Sequence, residues 1–164
     1  MTLFAFLFAA ASFVPLFNGK DLSGWQGLVE NPIARAALAP ADLAAKQAAA
    51  NAKMQANWTV RDGSIVFNGS GASLCTVTEY GDFEMIVDWR ITTGGDSGIY
   101  LRGTPQVQIW DPARTDVGAQ VGSGGLYNNQ KHPSAPLVRA DNPVGEWNTL
   151  RITMIGDKVT VFLN

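Results

Sequence analysis

Residues 94–112, GGDSGIYLRGTPQVQIWDP, read as two short strands joined by a tight turn, with polar and apolar side chains in alternation. Ile99 and Leu101 fall on one side, Tyr100 and Arg102 on the other; Val107 and Ile109 oppose Gln108 and Trp110. Asp96 and Asp111 flank the hairpin. An ordinary solvated face would carry Lys, Glu, Thr and Ser instead. Upstream, YGDFEMIVDWRI alternates as strictly: Phe83, Met85, Val87, Trp89 and Ile91 share one side, and Glu84, Ile86, Asp88 and Arg90 the other. If these strands belong to one sheet, a single face gathers carboxylates, guanidinium groups, an amide and aromatic rings. That mixture suits a carbohydrate, whose C–H faces stack on rings and whose hydroxyls bond amides, carboxylates and arginines. Carboxylates beside arginine can also divide proton-transfer work between them. Taken alone, Glu84, Asp88 and Arg90 read equally well as solvated ion pairs.

Other chemistry finds less support. Asp96, Asp111 and Asp116 would be the ligands of a divalent cation, but their spacing matches no calcium loop. A single cysteine, Cys75, and a single histidine, His132, leave no zinc cluster. Cys75 reads as a buried structural thiol. GSGG at 122–125 is followed by no helix and no lysine, so it reads as a flexible turn rather than a phosphate loop. No Gly-x-Ser-x-Gly elbow is present. Asn57-Trp-Thr and Asn68-Gly-Ser are glycosylation sequons, meaningful only in a secreted eukaryotic protein.

The elements that would carry these residues are mostly strands. FVPLFNGKDLSGW reads as a strand, a turn at Asn18-Gly19 and a tryptophan anchor. WTVRDGSIVFNG is a hairpin about Asp62-Gly63, and EWNTLRITMIGDKVTVFLN another about Gly156-Asp157. Trp147 reads as a core anchor, and Asp96 as a turn cap unless it serves the site. Between the strands lies one helical pattern. Pro40 suits a first turn, Asp42 lies near the positive end of the dipole, and Leu43, Ala50 and Met54 share a face, so residues 40–56 form one Ala-rich helix. It packs on a β domain or closes over a site as a lid. Residues 115–145 form a long loop region rich in Gly, Pro and Asn, of the kind that carries function.

The 164 residues fit one domain, and a core of that size needs neither disulfide nor metal. With 46% hydrophobic residues, 16% charged and a net charge of −2, the chain has no basic block for nucleic acid. The apolar run from Leu3 to Ala11 is too short to span a bilayer. It has the form of a secretory leader, 1–12, with Ala9-x-Ala11 at the cleavage site, although no Lys or Arg precedes it. The expectation is therefore a periplasmic or secreted domain over 13–164; the alternative is a first strand. The last strand ends at Asn164 with no turn or partner after it, which reads as a chain cut short.

Seven segments occur in one order: LFNGKDLSGW, WTVRDGSIVFNG, YGDFEMIVDWRI, GGDSGIYLRG, PQVQIWDP, GSGGLYNNQ and PVGEWNTLRITMIGDKVTVFLN. In that order they resemble the 3-keto-disaccharide hydrolase family, over about residues 17–164. The resemblance implies an all-β, concanavalin A-like jelly-roll sandwich of two antiparallel sheets with a concave carbohydrate-holding face. It also implies further strands beyond residue 164. The implied substrate is a 3-keto-disaccharide or 3-keto-glucoside, oxidised beforehand by a companion sugar 3-dehydrogenase. The implied reaction abstracts the C2 proton, expels the C1 substituent by β-elimination and hydrates the product. On this reading Glu84 or Asp88 is the base and Arg102 stabilises the enolate. Gln108 and Trp110 hold and stack the sugar beside Tyr100. Asp111 or Asp96 serves as acid or metal ligand, and Tyr127, Lys131 and His132 rim the site. A lectin-like binding module on the same fold is the competing reading.

Overall fold

The computed structural model describes residues 13–127 and 129–164. The expected leader over 1–12 lies outside them. The described chain is mostly antiparallel strand with few helices, as the sequence predicts. Its strands form four separate sheets, two of two strands and two of three. Contacts divide the chain into two units, one ending at Thr78 and the other running from Glu79 to Asn164.

In the first unit, β1 (Trp25–Gly27) pairs with β4 (Leu74–Thr76), and β2 (Trp58–Arg61) pairs with β3 (Ser64–Phe67). Asp62 and Gly63 both take positive φ, 50° and 70°, which is the turn that a two-residue hairpin requires. The Asn18-Gly19 turn also forms. The Asn18 side chain accepts from the backbone of Lys20 and Asp21, and Gly19 takes φ 74°. Hydrogen bonds from Ser23 and Asn18 pull the Asp21 carboxyl down to about 2. Phe13 to Phe17 form no strand, contrary to expectation, and Phe13 and Val14 are exposed.

Two helices follow β1. The short α1 (Pro32–Ala36) was not foreseen, although Asn31 caps it and Pro32 opens it. The long α2 (Pro40–Asn57) matches the predicted helix to within one residue. Its inner face carries Leu43, Gln47, Ala50, Asn51 and Met54, at the i, i+3, i+4 spacing of one stripe. The two amides on that stripe clamp β1: Gln47 Nε2 donates to the Gly27 carbonyl at 2.8 Å and Asn51 Oδ1 accepts from the Gly27 amide at 3.0 Å. A Cβ at Gly27 would run into the Ala50 backbone, so only glycine permits this approach. The helix is thus packed on β1, as the first of the two readings had it. Cys75 is half-buried on β4, and burial pushes its thiol up.

The second unit is a two-sheet sandwich. One sheet has the order β10 (Lys158–Leu163), β9 (Asn148–Ile155), β5 (Phe83–Trp89); the other has β6 (Asp96–Tyr100), β7 (Gln106–Trp110), β8 (Leu126–Tyr127). Both sheets send side chains into one core, formed by Trp89, Leu101, Val107, Ile109, Leu150, Ile152 and Met154. The strict alternation of β5 holds: Phe83, Met85, Val87 and Ile91 pack against that core, while Glu84, Ile86 and Asp88 are exposed. Trp147 departs from expectation. It is 48% exposed, with the Arg90 guanidinium 4.9 Å from its ring centre, a surface cation–π contact rather than a core anchor.

Candidate functional site

The pairing of β5 decides which residues can act together. β5 pairs with β9, not with the β6–β7 hairpin. Glu84 and Asp88 therefore lie on the outer face of one sheet, with the whole core between them and the outer face of the other. This corrects the expectation of a single polar face. Glu84 is ion-paired with Arg151, and Asp88 accepts from the Thr149 hydroxyl. Arg102 also leaves the hairpin face. It takes φ 51° in the turn after β6, and its guanidinium donates to the Gly156 carbonyl and lies 4.0 Å from Asp82. It braces the β9–β10 turn.

The outer face of β6–β7–β8 remains. Register places Asp96 opposite Trp110, Gly98 opposite Gln108, and Tyr100 opposite Gln106, which in turn opposes Tyr127. These seven side-chain positions share one side of the sheet, because the side-chain period is two. A linked polar chain runs along it. Gln106 Nε2 donates to Gln108 Oε1 at 3.1 Å, and Gln108 Nε2 donates to Asp96 Oδ1 at 2.7 Å. Arg114 Nη1 donates to Asp96 Oδ2 at 3.2 Å, and its Nη2 reaches Asp116 Oδ2 at 3.3 Å. Gln108 is buried, while the Asp96 side chain keeps 46% exposure and Arg114 29%. Asp96 is thus no turn cap. It is a solvent-reachable carboxylate, aimed by an amide and a guanidinium.

Arg114 was not singled out in the sequence, and neither was Gln106. Arg114 lies past the strand, in DPARTD, where alternation gives no face. Its only local signal is an arginine between two aspartates, Asp111 and Asp116.

Beside this chain is a cavity of about 230 Å³, walled by Gln108, Trp110, Val121, Gly122, Tyr127 and Pro136 among others. Trp110 is only 7% exposed. Its Nε1 donates to the Gly122 carbonyl at 2.8 Å, and its ring meets Tyr127 edge-on at 6.1 Å. It is a packed wall rather than an open stacking platform; the exposed ring is Tyr127. The GSGG segment is likewise no flexible turn. Gly124 N donates to the Gln108 carbonyl at 2.8 Å, and Gln108 N donates to the Gly125 carbonyl at 2.9 Å. Ser123 is 1% exposed and its amide donates to both Asp141 carboxylate oxygens. A Cβ at Gly125 would collide with the Ser134 carbonyl, so glycine lets the following loop close the cavity. Lys131 and His132 are exposed on that loop, whose 134–136 stretch forms the wall instead.

Asp111 is buried at 3% exposure, and its two oxygens accept from the Gly94 and Ala113 amides, each at 2.8 Å. Those backbone donors hold its carboxyl below the usual value of 3.8. Asp111 fastens the turn before β6 to the end of β7 and so sets where Asp96 begins. Because its folded pKa is depressed, its contribution to stability is present above the usual carboxylate range. That contribution is lost as pH falls below it. Asp111→Asn presents an NH2 group to one of two N–H donors; the variant should melt lower at neutral pH, with the gap to wild type closing below about pH 4. Thermal melts at a series of pH values check this. Among the described residues, no three His, Cys, Asp or Glu side chains converge on a point that could hold a metal. Asp96 and Asp116 both turn to Arg114, and Asp111 to the backbone.

The model of the 3-keto-alpha-glucoside-1,2-lyase-like domain matches residues 12–164. The chain belongs to this family. A curated relative, a 3-keto-disaccharide hydrolase of Bacteroides thetaiotaomicron, is 25% identical over 174 residues, covering 87% of this chain and 52% of the relative. The chain thus spans about half the length of that protein. The crystal structure of a candidate glycosyl hydrolase from Parabacteroides distasonis superposes with a TM-score of 0.64 at 25% identity, over 91% of this chain and 66% of the other. The ordered segments that resembled the family in sequence are thereby accounted for. No helix among the described residues is long and apolar enough to cross a membrane.

Proposed function

We propose that the outer face of β6–β7–β8 cleaves the glycosidic bond of 3-keto-disaccharides or 3-keto-glucosides by elimination and hydration. The observation that carries this reading is the Asp96–Arg114 pair, 3.2 Å apart, with Asp96 accepting from Gln108, a residue of the cavity wall. In a 3-keto sugar the acidic C2–H and the C3 carbonyl are on adjacent carbons. A base and an oxyanion stabiliser for them must therefore be neighbours, as these two are. Asp96 takes the C2 proton and Arg114 meets the charge that grows on the C3 oxygen. The electron pair left on C2 forms the C1=C2 bond, and the C1–O bond breaks with its electrons on the departing oxygen, which takes a proton. Water then adds across C1=C2, hydroxyl to C1 and hydrogen to C2, so the net change is hydrolysis. Gln108 aims the carboxylate, while Trp110 and Tyr127 shape the wall. The paired acid and nucleophile of ordinary glycosidases are not required.

The family match and the name of the curated relative support this substrate class. Such a substrate demands an enzyme that oxidises the C3 hydroxyl first, and the leader-like N-terminus would place the step outside the cytoplasm. The test is an assay of a 3-keto-disaccharide beside its unoxidised parent. Release of a 3-keto-monosaccharide from the oxidised compound alone supports the reading. Binding of sugar without cleavage of either compound would make the domain a lectin-like module.

A further inference from the structure

Two carboxylates hold Arg114, one at each end of its guanidinium fork: Nη1 lies 3.2 Å from Asp96 Oδ2 and Nη2 lies 3.3 Å from Asp116 Oδ2. Among the described residues these contacts use two of the guanidinium's N–H donors and leave others for a substrate oxygen. The two carboxylates have different tasks. Asp96 also accepts from Gln108 and takes the C2 proton in the reaction proposed above. Asp116 has no part in that transfer. It is 66% exposed and stands on the short 3-10 turn Thr115–Val117. Backbone bonds fix that turn. The Arg114 amide donates to the Asp111 carbonyl at 3.0 Å, and the Arg114 carbonyl accepts from Val117 at 3.3 Å and from Ala119 at 3.2 Å. Ala119 is fully buried, so the turn is seated in the domain. The backbone of Arg114 is therefore fixed, and its long side chain is what needs an anchor.

Proton transfer weakens one of the two anchors. When the C2 proton reaches Asp96, the carboxylate becomes a neutral acid and the negative charge moves to the C3 oxygen. A hydrogen bond to a neutral acceptor is roughly half as strong as one to a charged acceptor. Asp96 thus loosens its hold on the guanidinium at the moment the guanidinium is needed. Asp116 keeps its charge and its contact throughout. We propose that Asp116 is a positioning residue that holds Arg114 to the C3 oxygen while Asp96 is protonated. The assignment rests on the function proposed above.

The experiment measures kcat and KM on a 3-keto-disaccharide for Asp116→Ala and Asp116→Asn, and for Asp116→Ala again in an Arg114→Lys background. Asp116→Ala should lower kcat about two- to tenfold and leave KM within about twofold. Asp116→Asn keeps an oxygen for Nη2 and should recover most of that loss. A lysine has no second arm for Asp116 to hold, so in Arg114→Lys the same Asp116→Ala change should alter kcat by less than about 1.5-fold. Unchanged or raised kcat in Asp116→Ala, or the same fold-loss in both backgrounds, overturns the assignment. Nitrogen-15 spectra of the arginine side chains test the anchor apart from turnover. Separate Nη signals for Arg114 in wild type should merge in Asp116→Ala; signals already merged in wild type overturn the assignment. A wild type that turns over no 3-keto-disaccharide defeats the proposed reaction, and the role of Asp116 in it, even where the spectra show the anchor.

Discussion

Asp96→Asn should lower kcat/KM on a 3-keto-glucoside by about 10²–10⁴-fold, the usual contribution of a positioned general base. The substitution keeps size and polarity. The amide oxygen can still accept from Gln108 Nε2, so the Gln108 contact at 2.7 Å need not be lost. What disappears is the negative charge that would take the C2 proton and that pairs with Arg114. Substrate binding should change far less than kcat, because the loss is felt where the proton is in flight. Glu84→Gln is the matched control. Glu84 lies on the outer face of the other sheet, paired with Arg151, and an exposed pair of this kind contributes at most about 1 kcal/mol to stability. Its activity should stay within about twofold of wild type. If instead Glu84→Gln abolishes turnover and Asp96→Asn spares it, the site belongs on the β5 face.

Leu150→Ala should cost about 3 kcal/mol of stability and lower Tm by roughly 6–12 °C. Leu150 is fully buried at 0% exposure, on β9, the central strand of its sheet, within the cluster that both three-stranded sheets build. Its neighbours across the strand ladder, Val87 and Leu163, are held by hydrogen-bonded pairing. The sheets cannot slide in to fill the void, so a cavity term adds to the lost burial. Thr149→Ala, one residue away and exposed, is the comparison; it loses a hydroxyl contact to Asp88 and should shift Tm by only a few degrees. Comparable melting points for the two variants would mean that β9 is not the centre of this core.

Local features were legible in the sequence because local physics sets them. Alternation fixed the inner and outer sides of β5 and β7, Asp-Gly marked the β2–β3 hairpin, and Pro40 with the Leu43–Ala50–Met54 stripe marked α2. The Asn31-Pro32 pair carries the start of α1 in the same way, as cap and first residue. Long-range pairing was not legible. β5 alternates identically whether its neighbour is β6 or β9, and period two tells which side a residue takes without telling which sheet it joins. Alternation alone therefore groups Glu84 and Asp88 with Gln108, although a core separates them. Arg102 escaped the hairpin face because the backbone turns to positive φ there. Arg114 lies in a loop, where no periodicity points, and only the folded chain brings it to Asp96. GSGG reads as mobile because glycine lacks side-chain contacts, yet its backbone bonds to both the N–H and the carbonyl of Gln108 on β7.

The most direct test of C2 proton abstraction on this face is turnover in D2O. Wild-type protein is given a 3-keto-disaccharide, and the released 3-keto-sugar is analysed for deuterium at C2 before solvent exchange of the free product becomes appreciable. Elimination followed by hydration predicts one deuterium at C2 in the product of wild type, with product and deuterated substrate both formed about 10²–10⁴-fold more slowly by Asp96→Asn. Product released at full rate with hydrogen retained at C2 would mean direct displacement at C1 and would contradict the role given to Asp96.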